Sequence, residues 1–334
     1  MTLFRLFKTM HDFTILVLPG AYATSVAVTL DILNTAVAMA PRLKVSCPTW
    51  RLISPNRKSV RLSGGLSVDV TPMPRMPPDK SIWIVPGLGV ESAHDVAGRL
   101  ASDDAQRAIQ AIKAHEANGG SVAASCTGVF LLQAAQLLIG RRVTTSWWLA
   151  AELRQLESRC IVDTDRMVCA DGPVTTAGAA FAQTDLMLHL LRSRFGAALA
   201  DTVGRVLLID GRQAQSPFIV PMMLSNGSDL VTRLTQRIES ALPNPPSVAA
   251  LAQEFAMSTR TLSRHVQAAT GKSTLALLQS VRLNRARMLI ETSRMTIEQV
   301  AEHVGYEDAT ALRRLMLRVF GANPSKFRLA LVSD

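Results

Sequence analysis

Two sets of side chains in this sequence have the types and spacing to do chemistry. One is a set of arginines and short polar groups that recurs: Thr259, Arg260, Ser263, Arg264 and Gln267, then, about fifty residues on, Thr310, Arg313 and Arg314. A guanidinium forks two donors onto guanine or pairs with a phosphate, and hydroxyls and amides reach base edges. No acid interrupts either set, so both fit recognition of a nucleic-acid groove. The other is Cys126 in Ala124-Ser-Cys-Thr-Gly-Val-Phe, where an apolar strand run turns sharply into a helical one. Helix-end N–H groups lower a thiol's pKa and hold an anion. That corner suits a nucleophile if a base and its orienter lie within reach, a ligand pocket if they do not, or an oxidisable thiol acting as a redox sensor.

The arginines need a scaffold, and the sequence supplies one twice. Ser247-Val-Ala-Ala-Leu-Ala-Gln-Glu-Phe returns as Thr296-Ile-Glu-Gln-Val-Ala-Glu-His-Val, each followed by a turn and a second helical run. Ser247 and Thr296 are N-cap candidates for the first helices, Ser258 and Asp308 for the second. Val248, Leu251, Ala252 and Phe255, like Ile297, Val300, Ala301 and Val304, fall at helical spacing. Ala256 and Gly305 occupy the turns. The second helices are expected at Thr259–Ala269 and Ala309–Phe320, with Leu262, Val266, Leu312, Leu315 and Met316 inward. Thr259, Arg260, Ser263, Arg264 and Gln267 then point outward, as do Ala309, Thr310, Arg313 and Arg314. A connector helix, Thr274–Glu291, joins the units and is decorated by Arg282, Arg285 and Arg287. Each unit reads as a helix-turn-helix.

The cysteine needs a sheet. Phe13-Thr-Ile-Leu-Val-Leu, Trp50-Arg-Leu-Ile-Ser, Leu66–Val70, Ser81-Ile-Trp-Ile-Val and Ser121–Ser125 read as strands. Between them lie helical runs at Val26–Ala40, Asp104–Asn118 and Gly128–Leu138. Apolar strands alternating with helices imply a parallel sheet covered on both faces. At 334 residues two domains are expected. Net charge is +10, and residues 225–334 carry 14 Lys and Arg against 9 Asp and Glu, a surplus suited to a polyanion partner. Cys47, Cys126, Cys160 and Cys169 show no zinc or disulfide spacing, so neither metal nor cofactor is expected, and a reducing cytoplasm fits. Residues 1–12 lack the pattern of a signal peptide, no apolar run approaches a membrane span, and no membrane partner is expected.

Two resemblances follow. Ser258-Thr-Arg-Thr-Leu-Ser-Arg, Gly271-Lys-Ser, Val281-Arg-Leu-Asn-Arg-Ala, Val300-Ala-Glu-His-Val-Gly-Tyr-Glu-Asp and Gly321-Ala-Asn-Pro-Ser-Lys-Phe-Arg resemble the AraC/XylS-type DNA-binding domain. Thr274 stands where proline is usual, and Val266, Leu312 and Met316 where phenylalanine is frequent. The Cys126 corner and its strands resemble the class I glutamine amidotransferase-like, PfpI-type domain. Joined in this order, the two are similar to the GlxA family of transcriptional regulators. The implied fold is an α/β parallel-sheet (flavodoxin-like, PfpI-type) N-terminal domain plus an all-α C-terminal domain with two helix-turn-helix units. The implied organisation is a sensor domain at 12–200, a linker at 201–228 and a DNA-binding domain at 229–330.

Where catalytic relatives carry a histidine after the Thr-Thr pair, this chain has Ser146, and Ser25 aligns with their carboxylate. Of six histidines, His265 and His303 lie in the repeat, and only folding would bring His94 near the cysteine. The expectation is a pocket, lined by Cys126, Thr127, Gly87, Ser25, Ser146 and Trp147, with no catalytic residue. A cysteine-dependent amidase or hydrolase is the alternative, beside the redox sensor. The resemblance implies double-stranded DNA at a promoter or operator, a homodimer, RNA polymerase as a further partner, and a small effector such as an amino acid or quaternary amine.

Overall fold

The first unit alternates strand and helix, as its apolar runs require. In chain order it contains β1 (Phe13–Leu16), α1 (Ala23–Met39), β2 (Trp50–Ser54), β3 (Ser59–Arg61), β4 (Ser67–Asp69), β5 (Thr71–Pro72), β6 (Ile82–Val85), α2 (Ala93–Leu100), α3 (Asp103–Ala117), β7 (Ser121–Ser125), α4 (Val129–Ala134), β8 (Arg142–Val143), α5 (Ala150–Leu156), β9 (Ile161–Val162), β10 (Val168–Asp171), β11 (Val174–Ala177), α6 (Ala182–Phe195) and α7 (Ala197–Val206). This computed structural model describes residues 11–55, 58–73, 80–90, 92–164, 166–209, 215, 229–320 and 323–327.

Seven strands form one sheet in the order β10-β11-β7-β6-β1-β2-β5. All its pairs are parallel except β10 with β11. Side chains alternate across it: Leu16, Trp83, Val85, Val122 and Ala124 pack with α2, α3, α4 and α5. Phe13, Ile15, Ile84 and Ala123 pack with α1, α6 and α7 on the other face. Burial on both faces explains the near-continuous apolar strands. Together α1 and the turn after it, Ala23–Leu43, are long and apolar enough to cross a membrane, contrary to expectation. Val26, Ile32, Leu33 and Ala36 of α1 are buried in the sheet's core, which accounts for that composition without a membrane.

Several details differ from the sequence reading. The helix expected at Gly128–Leu138 is a tight turn, Cys126–Gly128, followed by the shorter α4. The strand expected at Leu66–Val70 pairs as β4 with β3 in a separate hairpin. The helix α2 and the antiparallel β10–β11 pair were not expected. The stretch read as a linker, 201–228, opens on the end of α7; beyond residue 209, Gln215 apart, it lies outside the described residues.

The chain divides into two compact units, Met1–Arg212 and Gln213–Asp334. The second contains α8 (Asp229–Ser240), α9 (Val248–Glu254), α10 (Thr259–Thr270), α11 (Thr274–Thr292), α12 (Ile297–His303) and α13 (Ala309–Phe320). Leu251, Ala252, Leu262, Val266, Leu278 and Val281 are buried around α9 and α10. Leu283, Ala286, Ile290, Val300, Ala301, Leu312 and Met316 form the second core, against which Leu315 is only partly buried. α11 is common to both. Residues 321, 322 and 328 of the terminal motif lie outside the described residues.

Candidate nucleic-acid interface and cysteine corner

The two repeats fold to one plan. α9 and α12 each have seven residues, and α10 and α13 each have twelve. Ser247 and Ser258 accept from Ala250 and Thr261 N–H, and Thr296 closes a capping box with Gln299. Asp308 Oδ1 accepts from Ala311 N–H at 2.6 Å. Both turns use left-handed backbone, at Ala256 (φ +54°) and Gly305 (φ +76°). A Cβ on Gly305 would lie 1.9 Å from the Pro243 carbonyl oxygen, so this turn requires glycine for space as well as for φ.

Counted from the caps, Arg260 and Arg264 occupy the same offsets on α10 as Thr310 and Arg314 on α13. All four side chains are exposed, and among the described residues none of the three arginines makes an ion pair. Thr259 is exposed and Ser263 half-buried, accepting from Thr274 Oγ1 at 3.4 Å. Gln267 is exposed, as expected, and its amide donates to the Gly271 carbonyl at 3.0 Å at the end of its own helix. Ala309, expected to face outward, is buried. Arg313 is exposed but engaged: Nη2 donates to Glu298 Oε1 on α12 at 2.7 Å. Arg282, expected as decoration, is a clasp. It lies 3.8 Å from the Tyr306 ring centroid and donates to the carbonyls of Val304 and Gly305. Sequence spacing gave no signal for the Arg313–Glu298 or Arg282–Tyr306 pairs, which join residues far apart in the chain.

The cysteine corner gathers its expected residues, but as a packed cluster. Cys126 follows β7 with φ +54°, a strained conformation for a residue with a Cβ. Its N–H donates to the Gly178 carbonyl at 2.6 Å, its carbonyl accepts from Thr145 Oγ1 at 2.8 Å, and Ser146 Oγ lies 3.0 Å from Sγ. Thr127 Oγ1 accepts from Leu88 N–H at 2.8 Å, and Ser25 Oγ donates to the Ala180 carbonyl at 3.3 Å. A Cβ on Gly87 would meet Tyr22 at 2.9 Å and Cys126 Cβ at 3.1 Å. Cys126, Thr127, Gly87, Ser25, Ser146 and Trp147 are all buried. Trp147, expected to line the pocket, is the inner member of an edge-to-face pair with the more exposed Trp148.

Surrounding loops fix this packing. Gly20 donates to the Arg61 carbonyl, Tyr22 to the Gly87 carbonyl, and a Cβ on Gly89 would lie 1.9 Å from Gly20 O. Arg99 donates to the Pro19 carbonyl and pairs with Asp104 at 2.7 Å. Burial works against the charge on Asp104, but the donors of Arg99 and Ser102 outweigh it and hold the carboxyl below its ordinary value. His94 is not brought to the cysteine: its side chain is 99% exposed beside Asp95. The Ser146 group that donates to the thiol is a hydroxyl, which is no proton acceptor at neutral pH. The Cys126 N–H, committed to Gly178, is not presented to a developing oxyanion.

Comparison with known proteins follows the same division. Residues 251–330 match the helix-turn-helix domain model, and residues 49–193 match the DJ-1/PfpI family. The chain is 24% identical over 324 residues to the HTH-type transcriptional regulator CdhR of Pseudomonas aeruginosa, covering 96% of this chain and 92% of that one. It is 26% identical over 206 residues to the HTH-type transcriptional regulator GlxA of Rhizobium meliloti, covering 60% and 63%. Among solved structures, an AraC family transcriptional regulator from Pseudomonas putida overlays with a TM-score of 0.46 at 18% identity, covering 59% of this chain and 99% of that one.

Proposed function

This chain is an AraC-family transcriptional regulator in which a DJ-1/PfpI-family domain precedes the DNA-binding helix-turn-helix domain, and from that premise we propose that it reads a discrete operator through α10 and α13 under the control of a small metabolite. The observation that carries the reading is the matched placement of Arg260 and Arg264 with Thr310 and Arg314, exposed at equal offsets from capped helix starts. In a helix-turn-helix the early residues of the second helix reach base edges, and phosphate contacts fix the register. Two such helices in one chain suit successive major grooves about one helical turn apart.

The DJ-1/PfpI domain is the sensor in this reading. Its hydroxyls at Ser25, Thr127 and Ser146 would supply polar partners, and Trp148 a ring for a cation. An amino acid or a quaternary amine has the matching chemistry. Because the corner is packed, binding requires the Tyr22 loop or the Trp148 segment to move aside. Differential affinity for the open and closed forms would then bias operator occupancy. The protein acts on the chromosome in the cytoplasm, as a homodimer, with RNA polymerase as a further partner at the promoter. The hydroxyl beside Cys126 supports a sensor over a cysteine hydrolase.

Selection of bound genomic fragments by the purified chain, at a stated salt concentration, tests the operator reading. A discrete motif spanning two major grooves is expected. Diffuse binding that disappears as salt rises would show phosphate attraction without base reading and reject it.

A further inference from the structure

The two recognition helices differ where they should match. Five residues after its cap, α10 carries half-buried Ser263, whereas α13 carries Arg313. Arg313 stands where the first unit has Ser263, as Thr310 stands where it has Arg260, and it is paired at once with Glu298, the second residue of α12, at 2.7 Å. Glu298 is 64% exposed and Arg313 47%. Both therefore lie on the surface, and an exposed pair of this kind adds little to folding stability. Its effect is greater on a polyanion, because it sets how many cations the surface presents.

We propose that Glu298 is a specificity-determining residue: it cancels the charge of Arg313, so that the second unit meets DNA through Thr310 and Arg314 rather than through general phosphate attraction. This inference rests on α13 facing DNA. Non-specific binding scales with the number of phosphates neutralised, whereas base reading depends on particular donors. An acid held against one arginine lowers the first and leaves the second intact, and this widens the ratio between operator and random sequence. Glu298 also penalises an off-register approach that would bring its carboxylate to a phosphate, a form of selectivity by repulsion.

The test measures full-length protein on the selected operator and on a scrambled duplex of equal composition, between 50 and 200 mM salt, with a thermal melt for each variant. Glu298→Gln is expected to steepen the plot of log K against log salt by about 0.9, to tighten scrambled-duplex binding, and to lower the operator-to-scrambled ratio. Arg313→Gln should make the plot shallower by about the same amount. The double variant should return the wild-type slope, because the two charges leave together. A Glu298→Gln slope equal to wild type, or a double variant that keeps the Glu298→Gln slope, overturns the inference while a discrete wild-type operator leaves the regulator reading standing. Wild type with no preference for the operator would overturn both.

Discussion

At the scale of single residues, chemistry is set by what each side chain already touches. Arg264 and Arg314 stand at the same offset and are exposed. Alanine at either should weaken operator binding by about 1–3 kcal/mol if the guanidinium reads a base, measured by titration at fixed salt. Gln267→Ala should change operator affinity less, because one donor of its amide is already held by the Gly271 carbonyl. Thiol labelling is expected to follow environment as well. Cys47 is exposed and should react first. Cys169 is buried, and burial, with help from Asp163, pushes its thiol up to about 11, so it should react well after Cys47. Fast labelling of Cys169 in native protein would contradict its burial within β10.

At the scale of elements, the turns and clasps carry the energetics. Ala256 holds φ +54° with a Cβ, a conformation that costs about 1–2 kcal/mol. Ala256→Gly should therefore raise stability by a part of that, against the extra chain entropy of glycine. Gly305→Ala should do the opposite and lower the melting temperature, since its Cβ would meet the Pro243 carbonyl. One thermal series with both variants tests the pair. Arg99 and Asp104 join α2 and α3 to the loop after β1. The Asp104 carboxyl is depressed in the folded state, so its contribution is present above its unfolded value of about 3.9 and is lost as pH falls through the folded one. The melting-temperature gap between wild type and Asp104→Asn should be full at pH 7 and close below pH 4; a gap independent of pH would refute the ion pair's part.

At the scale of the whole molecule, charge and the division into units decide behaviour. The net charge of +10 gives a general attraction to nucleic acid that salt screens. Specific binding must exceed that background, which is why exposed arginines at matched positions weigh more than the total charge. Each unit has its own core, so thermal unfolding should not reduce to one two-state transition. Calorimetric and van't Hoff enthalpies that agree over a single peak would argue against independent units.

Much of this protein was determined by its sequence because the deciding interactions are local or periodic. Caps at Ser247, Ser258, Thr296 and Asp308 act within one helical turn, and the boundaries of α10 and α13 lie within a residue of those expected. Strand runs such as Trp50–Ser54 and Ser121–Ser125 could be read because burial on both sheet faces leaves little room for polar residues. The Cys126 corner was readable as a sharp turn between two apolar runs. Only the tertiary structure decided what those side chains meet. It joined the Gln267 amide to the Gly271 carbonyl, buried Ala309 and Trp147, packed Gly87 against Tyr22 and Cys126, and set Glu298 against Arg313. The reason is physical: periodicity fixes which face a residue occupies, whereas its partner comes from another element through packing that no local spacing encodes.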